Sequence, residues 1–413
     1  MNRSSVRLCV FGCWLGVCGG LVFCADDPAV APLLPARVWR VTGQSAGPEL
    51  EALDNTMKQF MVERNISAGA LAITCRGRLM LAKGYTWAPN GDEPVAPESL
   101  FRIASVSKPI TAVAVLHLVE TGRLGLDERV ADVLKLTPME GQAMDARLKQ
   151  VTILHLLQHL GGWDRDKAYD PMFQDRRIAS ALGIKEPIGT ADIIKFMNGE
   201  LLQSEPGTAY AYSNYGYCLL GRVIEQRSGL PYEDYVRREI LAPLGIHAMQ
   251  IGKSRRDEHA PGEVTYEGER PYGNFRLENL DAHGGWIASA LDLARFAAAL
   301  DNPSRHPVLS PGSIERMFAL PENLLGKEYK LGDAYYACGW QVRDYGGGQR
   351  NAWHTGSLPG TFTFLARWRS GIDCVVLLNR RGKDFEKIDS LIGEAAHRIR
   401  QWPAGDLFVK ASG

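Results

Sequence analysis

The sequence predicts an α/β protein in which one sheet is begun early, interrupted by a helical lobe over about residues 125–265, and resumed from about residue 330. Three observations carry this reading. Residues 69–75 (GALAITC) and 79–85 (LMLAKGY) flank Arg76-Gly77-Arg78, the pattern of a β-hairpin. Residues 151–160, 190–201, 215–227 and 232–241 then repeat their apolar positions at helical spacing. Strand-like text returns at 335–340, 361–368 and 374–378, and an amphipathic helix over 388–401 closes it. Strands at both ends of a chain must meet to form one layer, so the helical stretch reads as an insertion.

Taken in order, the chain opens with Arg3 and Arg7 before an apolar run from Leu8 to Cys24, ended by Asp26-Asp27-Pro28. That layout predicts a secretory signal peptide over 1–25 and an exported, periplasmic or secreted protein, with a lipid or membrane anchor as the alternative. Residues 26–48 are rich in Ala, Pro and Gly and read as a linker. Gly43-Gln44-Ser45-Ala46-Gly47 within it matches a nucleophile elbow, but an elbow caps a sheet whose earlier strands are missing here, so the match is accidental. Residues 50–64 carry Leu53, Met57, Phe60 and Met61 at helical spacing. One catalytic domain is expected over 49–405, followed by a tail at 406–413.

Lys+Arg and Asp+Glu both number 47, so the neutral balance gives no footing for nucleic acid as a partner. Four of the eight cysteines fall in the signal segment. Cys75, Cys218, Cys338 and Cys374 are far apart in apolar settings and read as buried free thiols, with three disulfide pairings as the alternative. No Cys-x-x-Cys or His-Glu-x-x-His spacing occurs, so no metal and no cofactor are expected.

The chemistry centres on Phe101-Arg102-Ile103-Ala104-Ser105-Val106-Ser107-Lys108-Pro109. The residues that follow, 110–119, are apolar nearly all round and predict a buried helix, which Pro109 in its first turn does not disturb. Ser105 and Lys108 stand three apart, so the amine can reach the hydroxyl, and a desolvated lysine can lose the charge that prevents it from taking a proton. Helix N–H groups would favour negative charge developing beside Ser105. Alone, the pair reads equally well as a helix cap and a surface lysine. Tyr212 and Asn214 share one side of an extended segment after Glu205-Pro206-Gly207, although Asn214 also suits an N-cap. A phenolate serves as a base if a cation lowers its pKa. Further on, His354-Thr355-Gly356-Ser357 joins two strands. Gly356 would let a substrate approach the backbone, and the Ser357 N–H could donate to an oxyanion.

This order, Ser-x-x-Lys, then Tyr-x-Asn, then His-Thr-Gly, resembles the serine β-lactamase and penicillin-binding protein superfamily over about residues 50–400. The class C β-lactamases, D-alanyl-D-alanine carboxypeptidases and β-lactamase-like esterases are the branches it looks like. Leu219-Leu220-Gly221 and Gly284-Gly285 add to the resemblance. It implies a β-lactamase/transpeptidase-like fold, an antiparallel sheet flanked by helices with an inserted all-helical lobe. It implies Ser105 as the acylated nucleophile, Lys108 as its activator and Tyr212 as the proton shuttle to the leaving group and from the deacylating water. Asn214 would bind Lys108 and the substrate, the N–H groups of Ser105 and Ser357 would form the oxyanion hole, and His354-Thr355-Gly356 would line the far wall. A small-molecule or peptide substrate follows, an ester or amide including β-lactams and D-Ala-D-Ala peptides.

Two departures matter. His354 stands where class C β-lactamases carry a lysine, and a neutral imidazole attracts a substrate carboxylate less. That favours an esterase or peptidase over a dedicated β-lactamase, with the carboxypeptidase as runner-up. Gln158-His159-Leu160-Gly161-Gly162-Trp163-Asp164 resembles a family His-Thr-Ser-Gly loop without its Thr-Ser, so it is given no chemistry, and Asp164 and Arg165 are read as pocket rim or solvated surface. A catalytically silent, penicillin-binding-like protein is the non-enzyme alternative.

Overall fold

Arg76 and Gly77 both take positive φ, 52° and 72°, the geometry of a two-residue turn whose twist matches the strands it joins. The computed structural model describes residues 38–87, 93–139, 141–301, 303, 308–325 and 329–410. Its strands are β1 (Arg40–Ser45), β2 (Ala68–Cys75), β3 (Arg78–Thr86), β4 (Phe101–Arg102), β5 (Gln250–Ile251), β6 (Trp286–Ala288), β7 (Ala334–Tyr336), β8 (Gln341–Asp344), β9 (Arg350–Leu358), β10 (Thr361–Trp368) and β11 (Ile372–Leu378). The helices that matter below are α1 (Glu51–Glu63), α2 (Ser107–Glu120), α3 (Asn214–Ser228), α4 (Ala290–Asp301) and α5 (Ile388–His397).

Among the described residues, eight strands form one sheet in the order β1-β3-β2-β11-β10-β9-β8-β7, and every neighbouring pair is antiparallel. The two ends of the chain meet at β2 and β11, where Leu71 pairs with Val376, so the insertion predicted from sequence is real. A small sheet, β4-β6-β5, sits beside it. Side chains alternate across each strand and both faces are covered. Leu71, Ile73, Phe364 and Val376 pack in one apolar cluster with Leu53, Met57 and Phe60 of α1 and Ile388 and Ile392 of α5. Ala70, Ala72, Leu365 and Val375 share the other with α2, α4 and the helical lobe. Helix α2 is buried from Ser107 to Leu116 and again at Leu118, as its all-round apolar sequence requires.

Three boundaries change. The predicted linker contains β1, which pairs with β3 from Arg40↔Thr86 to Ser45↔Leu81. An edge strand with most side chains exposed lacks the apolar alternation that would reveal it. Ser45 therefore lies in an edge strand rather than an elbow, and its hydroxyl donates to the Gly47 carbonyl. The lobe is not all-helical, because β5 pairs with β6. The predicted tail docks: Asp406 Oδ1 accepts the Leu79 N–H, and Leu407 is buried in a short helix, Leu407–Lys410. The signal-peptide segment, and the linker before residue 38, lie outside the described residues. Cys75, Cys218, Cys338 and Cys374 are all buried and free.

Candidate active site

Ser105 sits in a single tight turn, Ala104–Val106, immediately before α2. Ala104 takes φ 47°, a left-handed conformation that costs a non-glycine residue about 1–2 kcal/mol. The turn is wedged against β9. A methyl group on Gly356 would lie 2.1 Å from the Ile103 carbonyl oxygen and 3.2 Å from the Ala104 Cβ. The group that approaches Gly356 is thus the nucleophile turn itself, which corrects the expectation that the glycine admits substrate.

Lys108 lies in the first turn of α2 and is fully buried. Its Nζ is 3.2 Å from Ser105 Oγ, 2.8 Å from Asn214 Oδ1 and 2.9 Å from the His283 carbonyl oxygen. Burial drives its pKa well below the usual lysine value; Asp170 opposes this and Arg165 adds to it. Two of the three neighbours are acceptors only, while the Ser105 hydroxyl can donate. A neutral amine fits this arrangement, with two N–H groups to the carbonyl oxygens and its lone pair facing Ser105.

Asn214 begins α3, but Ser213 is the cap, its hydroxyl accepting the Gly216 N–H. The N-cap reading of Asn214 is corrected, and its carboxamide is left free for the site. Its Nδ2 donates to Asp170 Oδ2 at 2.6 Å, which fixes Oδ1 toward Lys108. Tyr212, two residues earlier, is buried beside Ser105, whose hydroxyl acts on its phenol. Burial raises the Tyr212 pKa above the ordinary phenol value, against lowering by the Ser105 hydroxyl and by Arg165, so the resting group is a phenol. Lys108 Nζ lies 4.7 Å and Arg165 Cζ 4.6 Å from the centre of its ring.

The His-Thr-Gly strand divides. His354 faces the α2 side of the sheet, but it is buried behind Tyr212, its ring centre 6.4 Å away. Its Nδ1 lies 2.7 Å from the Thr355 carbonyl, which can only accept, so Nδ1 carries the proton and Tyr336 Oη donates to Nε2 at 3.0 Å. Burial and Lys108 push its pKa down to about 3, so it is neutral. Thr355 pairs with Phe364 and Ser357 with Phe362, on the face covered by α1 and α5, so Thr355 does not direct its side chain at Ser105. Ser357 enters through its main chain. Leu358 and Thr361 flank the two-residue turn Pro359-Gly360 and form a hydrogen-bonded pair. The next pair, Ser357↔Phe362, is then a non-bonded one, and the Ser357 N–H points away from β10.

Ser105, Asn214, Arg165, Ser357, Phe173, Phe275 and Arg381 line one cavity of about 360 Å³. Arg165, read from sequence as pocket rim or solvated surface, is at the rim, and three contributors were not legible as such: Asp170, the His283 carbonyl and His159. Asp170 precedes Pro171 as an Asp cap does and accepts the Met172 N–H, yet its other partner is 44 residues away. The His283 carbonyl is main chain and leaves no mark in a sequence. It is held in place by Thr111, whose hydroxyl donates to the Ala282 carbonyl at 2.6 Å. His159, given no chemistry from sequence, is buried against the Tyr212 ring at 4.4 Å and accepts the Ser213 N–H on Nδ1.

Comparison with known proteins gives the family. The chain is 28% identical to penicillin-binding protein 4* of Bacillus subtilis (strain 168), over 83% of this chain and 74% of that one. It is 33% identical to esterase EstB of Burkholderia gladioli, over 63% of each. It spans between about half and three fifths of the length of the curated relatives it matches above 30% identity. Its fold matches D-amino acid amidase from Ochrobactrum anthropi SV3 with a TM-score of 0.66 at 22% identity, covering 86% of this chain and all of that one. The β-lactamase family model matches residues 53–397, and the chain belongs to that family.

Proposed function

We propose that the protein is a serine hydrolase that cleaves an ester or amide through an acyl-enzyme on Ser105. One observation carries the reading: a lysine with no solvent exposure stands 3.2 Å from the Ser105 hydroxyl, its other two contacts being carbonyl acceptors. Ser105 Oγ attacks the substrate carbonyl carbon while the Lys108 lone pair takes its proton. The oxyanion accepts the N–H groups of Ser105 and Ser357. Collapse breaks the bond to the leaving alcohol or amine, which takes the Tyr212 proton, and the Lys108 ammonium restores Tyr212. Water then adds to the acyl carbon, giving its proton back through the same pair, and releases the acid and Ser105.

The neutral His354, with both ring nitrogens engaged, supports an esterase or peptidase ahead of a dedicated β-lactamase. A carboxypeptidase is the second reading, favoured by Arg381 at the pocket, whose charge suits a substrate carboxylate. Export follows from the N-terminal pattern, and N-terminal sequencing of the mature protein tests it. The mechanism is tested by intact-mass analysis after fluorophosphonate treatment, alongside turnover of p-nitrophenyl acetate and nitrocefin. One adduct on Ser105, and loss of both adduct and turnover in Ser105→Ala, are expected. Turnover surviving in Ser105→Ala would overturn the mechanism.

A further inference from the structure

We propose that Arg165 is a positioning residue of the reaction: its guanidinium lies over the Tyr212 ring and supplies there the positive charge that position 354 does not carry. This rests on the serine-hydrolase reading above. The geometry is specific. Arg165 Cζ is 4.6 Å from the centre of the Tyr212 ring, within the range of a cation–π contact, and Lys108 Nζ is 4.7 Å from it. Arg165 Nη1 stands 3.9 Å from Asp170 Oδ2, the same oxygen that accepts from Asn214 Nδ2. One guanidinium is thereby coupled to the phenol and, through Asp170 and Asn214, to the amine. The other titratable groups packed on Tyr212 bring no charge: His159 and His354 are buried and held neutral, Tyr210 is a phenol pushed up to about 12, and Tyr336 is a phenol raised by burial. Asp170 is the one carboxylate acting on both Tyr212 and Lys108.

The consequence has a sign. The Arg165 charge disfavours an ammonium on Lys108 and favours a phenolate on Tyr212, so it holds both pKa values down. Turnover requires neutral Lys108, which sets the acid limb, while Tyr212 stays protonated throughout the working range. Removing Arg165 therefore moves the acid limb to higher pH. Removing the Asp170 charge moves it to lower pH.

The test measures kcat/KM against pH with p-nitrophenyl acetate, a neutral substrate that offers no anion to a guanidinium. Arg165→Gln, with Arg165→Met as a second neutral variant, is expected to lower kcat about tenfold. The acid limb should rise by about 0.5 pH unit, the effect of one charge within about 9 Å through a partly aqueous medium. Arg165→Lys should restore the wild-type limb, and Asp170→Asn should displace it the opposite way. An unmoved limb in both neutral variants would overturn the proposal, as would a defect confined to KM for anionic substrates, which would make Arg165 a substrate clamp. A wild-type enzyme that turns over no ester would sink the hydrolase reading instead, so the two failures are distinct.

Discussion

Replacing Gly356 with alanine tests whether the site depends on close packing between β9 and the nucleophile turn. The backbone there suits any residue, so only the new methyl group matters. It would sit 2.1 Å from the Ile103 carbonyl oxygen and 3.1 Å from the carbonyl carbon. A carbon–oxygen contact relaxes to about 3.3 Å, so the two segments must separate by about 1.2 Å. Ser105 is two residues from Ile103 and Ser357 is one residue from Gly356, so the same displacement opens the gap between the two oxyanion donors. An error of about 1 Å at a reacting centre costs about 100-fold in rate, and overpacking costs about 1–3 kcal/mol of stability. The expected result is a kcat about 100-fold lower, a KM little changed, and a melting temperature lowered by several degrees with unaltered far-UV circular dichroism. Gly189→Ala is the control, because its methyl would meet nothing closer than Asp192 Oδ2 at 3.8 Å. Wild-type kcat and melting in Gly356→Ala would refute the packing argument, and a loss confined to KM would return the glycine to the role of admitting substrate.

Other expectations follow from the buried groups. Lys108 has a folded pKa far below its unfolded value, so the unfolded chain binds the extra proton between them and stability rises with pH across that window. Denaturant titration should therefore show the wild type gaining stability relative to Lys108→Met between pH 7 and pH 9.5; an unchanged difference would mean that Lys108 is charged in the folded protein. His354, with a pKa near 3, should keep its Nδ1–H neutral tautomer from pH 5 to 8 in nitrogen-15 NMR, and titration near 6.5 would contradict its burial. Its stabilising effect is present above the unfolded value of about 6.5 and is lost as pH falls toward 3. Thr111→Val removes the hydroxyl that donates to the Ala282 carbonyl and contacts Tyr232, and should cost about 1–2 kcal/mol and lower kcat at constant KM. Full activity in that variant would show that the His283 carbonyl needs no such support.

What the sequence disclosed was whatever repeats with a period or stands at short spacing. The hairpin at Arg76-Gly77, the all-round apolar α2 and the strand 361–368 announce themselves because each carries its pattern within a short run of residues. Ser105 and Lys108 were legible for the same reason, being three residues apart. β1 was not, because an edge strand with exposed side chains has little apolar pattern to read. Gly356 was assigned the wrong neighbour, since nothing near it in the chain says that Ile103 will lie against it. Asn214 was legible as a partner of Lys108 through the resemblance, but what orients it was not. Only the placement of Ser213 as cap frees it, and only Asp170, 44 residues earlier, orients it. Arg165 was legible as pocket rim, and it is an exposed residue that lines the cavity; its place over the Tyr212 ring was not legible, because Tyr212 is 47 residues further along the chain.

The protonation state of Lys108 is what converts these contacts into a possible reaction. An ammonium at this depth would need its charge balanced, yet Asp170 reaches it only through Asn214, and its direct neighbours are neutral oxygens. A buried ion without a counter-ion in contact gives up its proton before it gives up several kcal/mol. Once neutral, the amine has two hydrogens for the two fixed carbonyl oxygens and one lone pair left over, and the remaining neighbour is Ser105 Oγ. The carbonyl oxygens of Asn214 and His283 thus choose where the base points. Once the serine proton has crossed, the same two oxygens stabilise the ammonium until Tyr212 passes a proton on. Asn214→Leu should therefore impair acylation beyond any loss of substrate contact, because an amine released from one acceptor turns its lone pair away from the hydroxyl it must deprotonate.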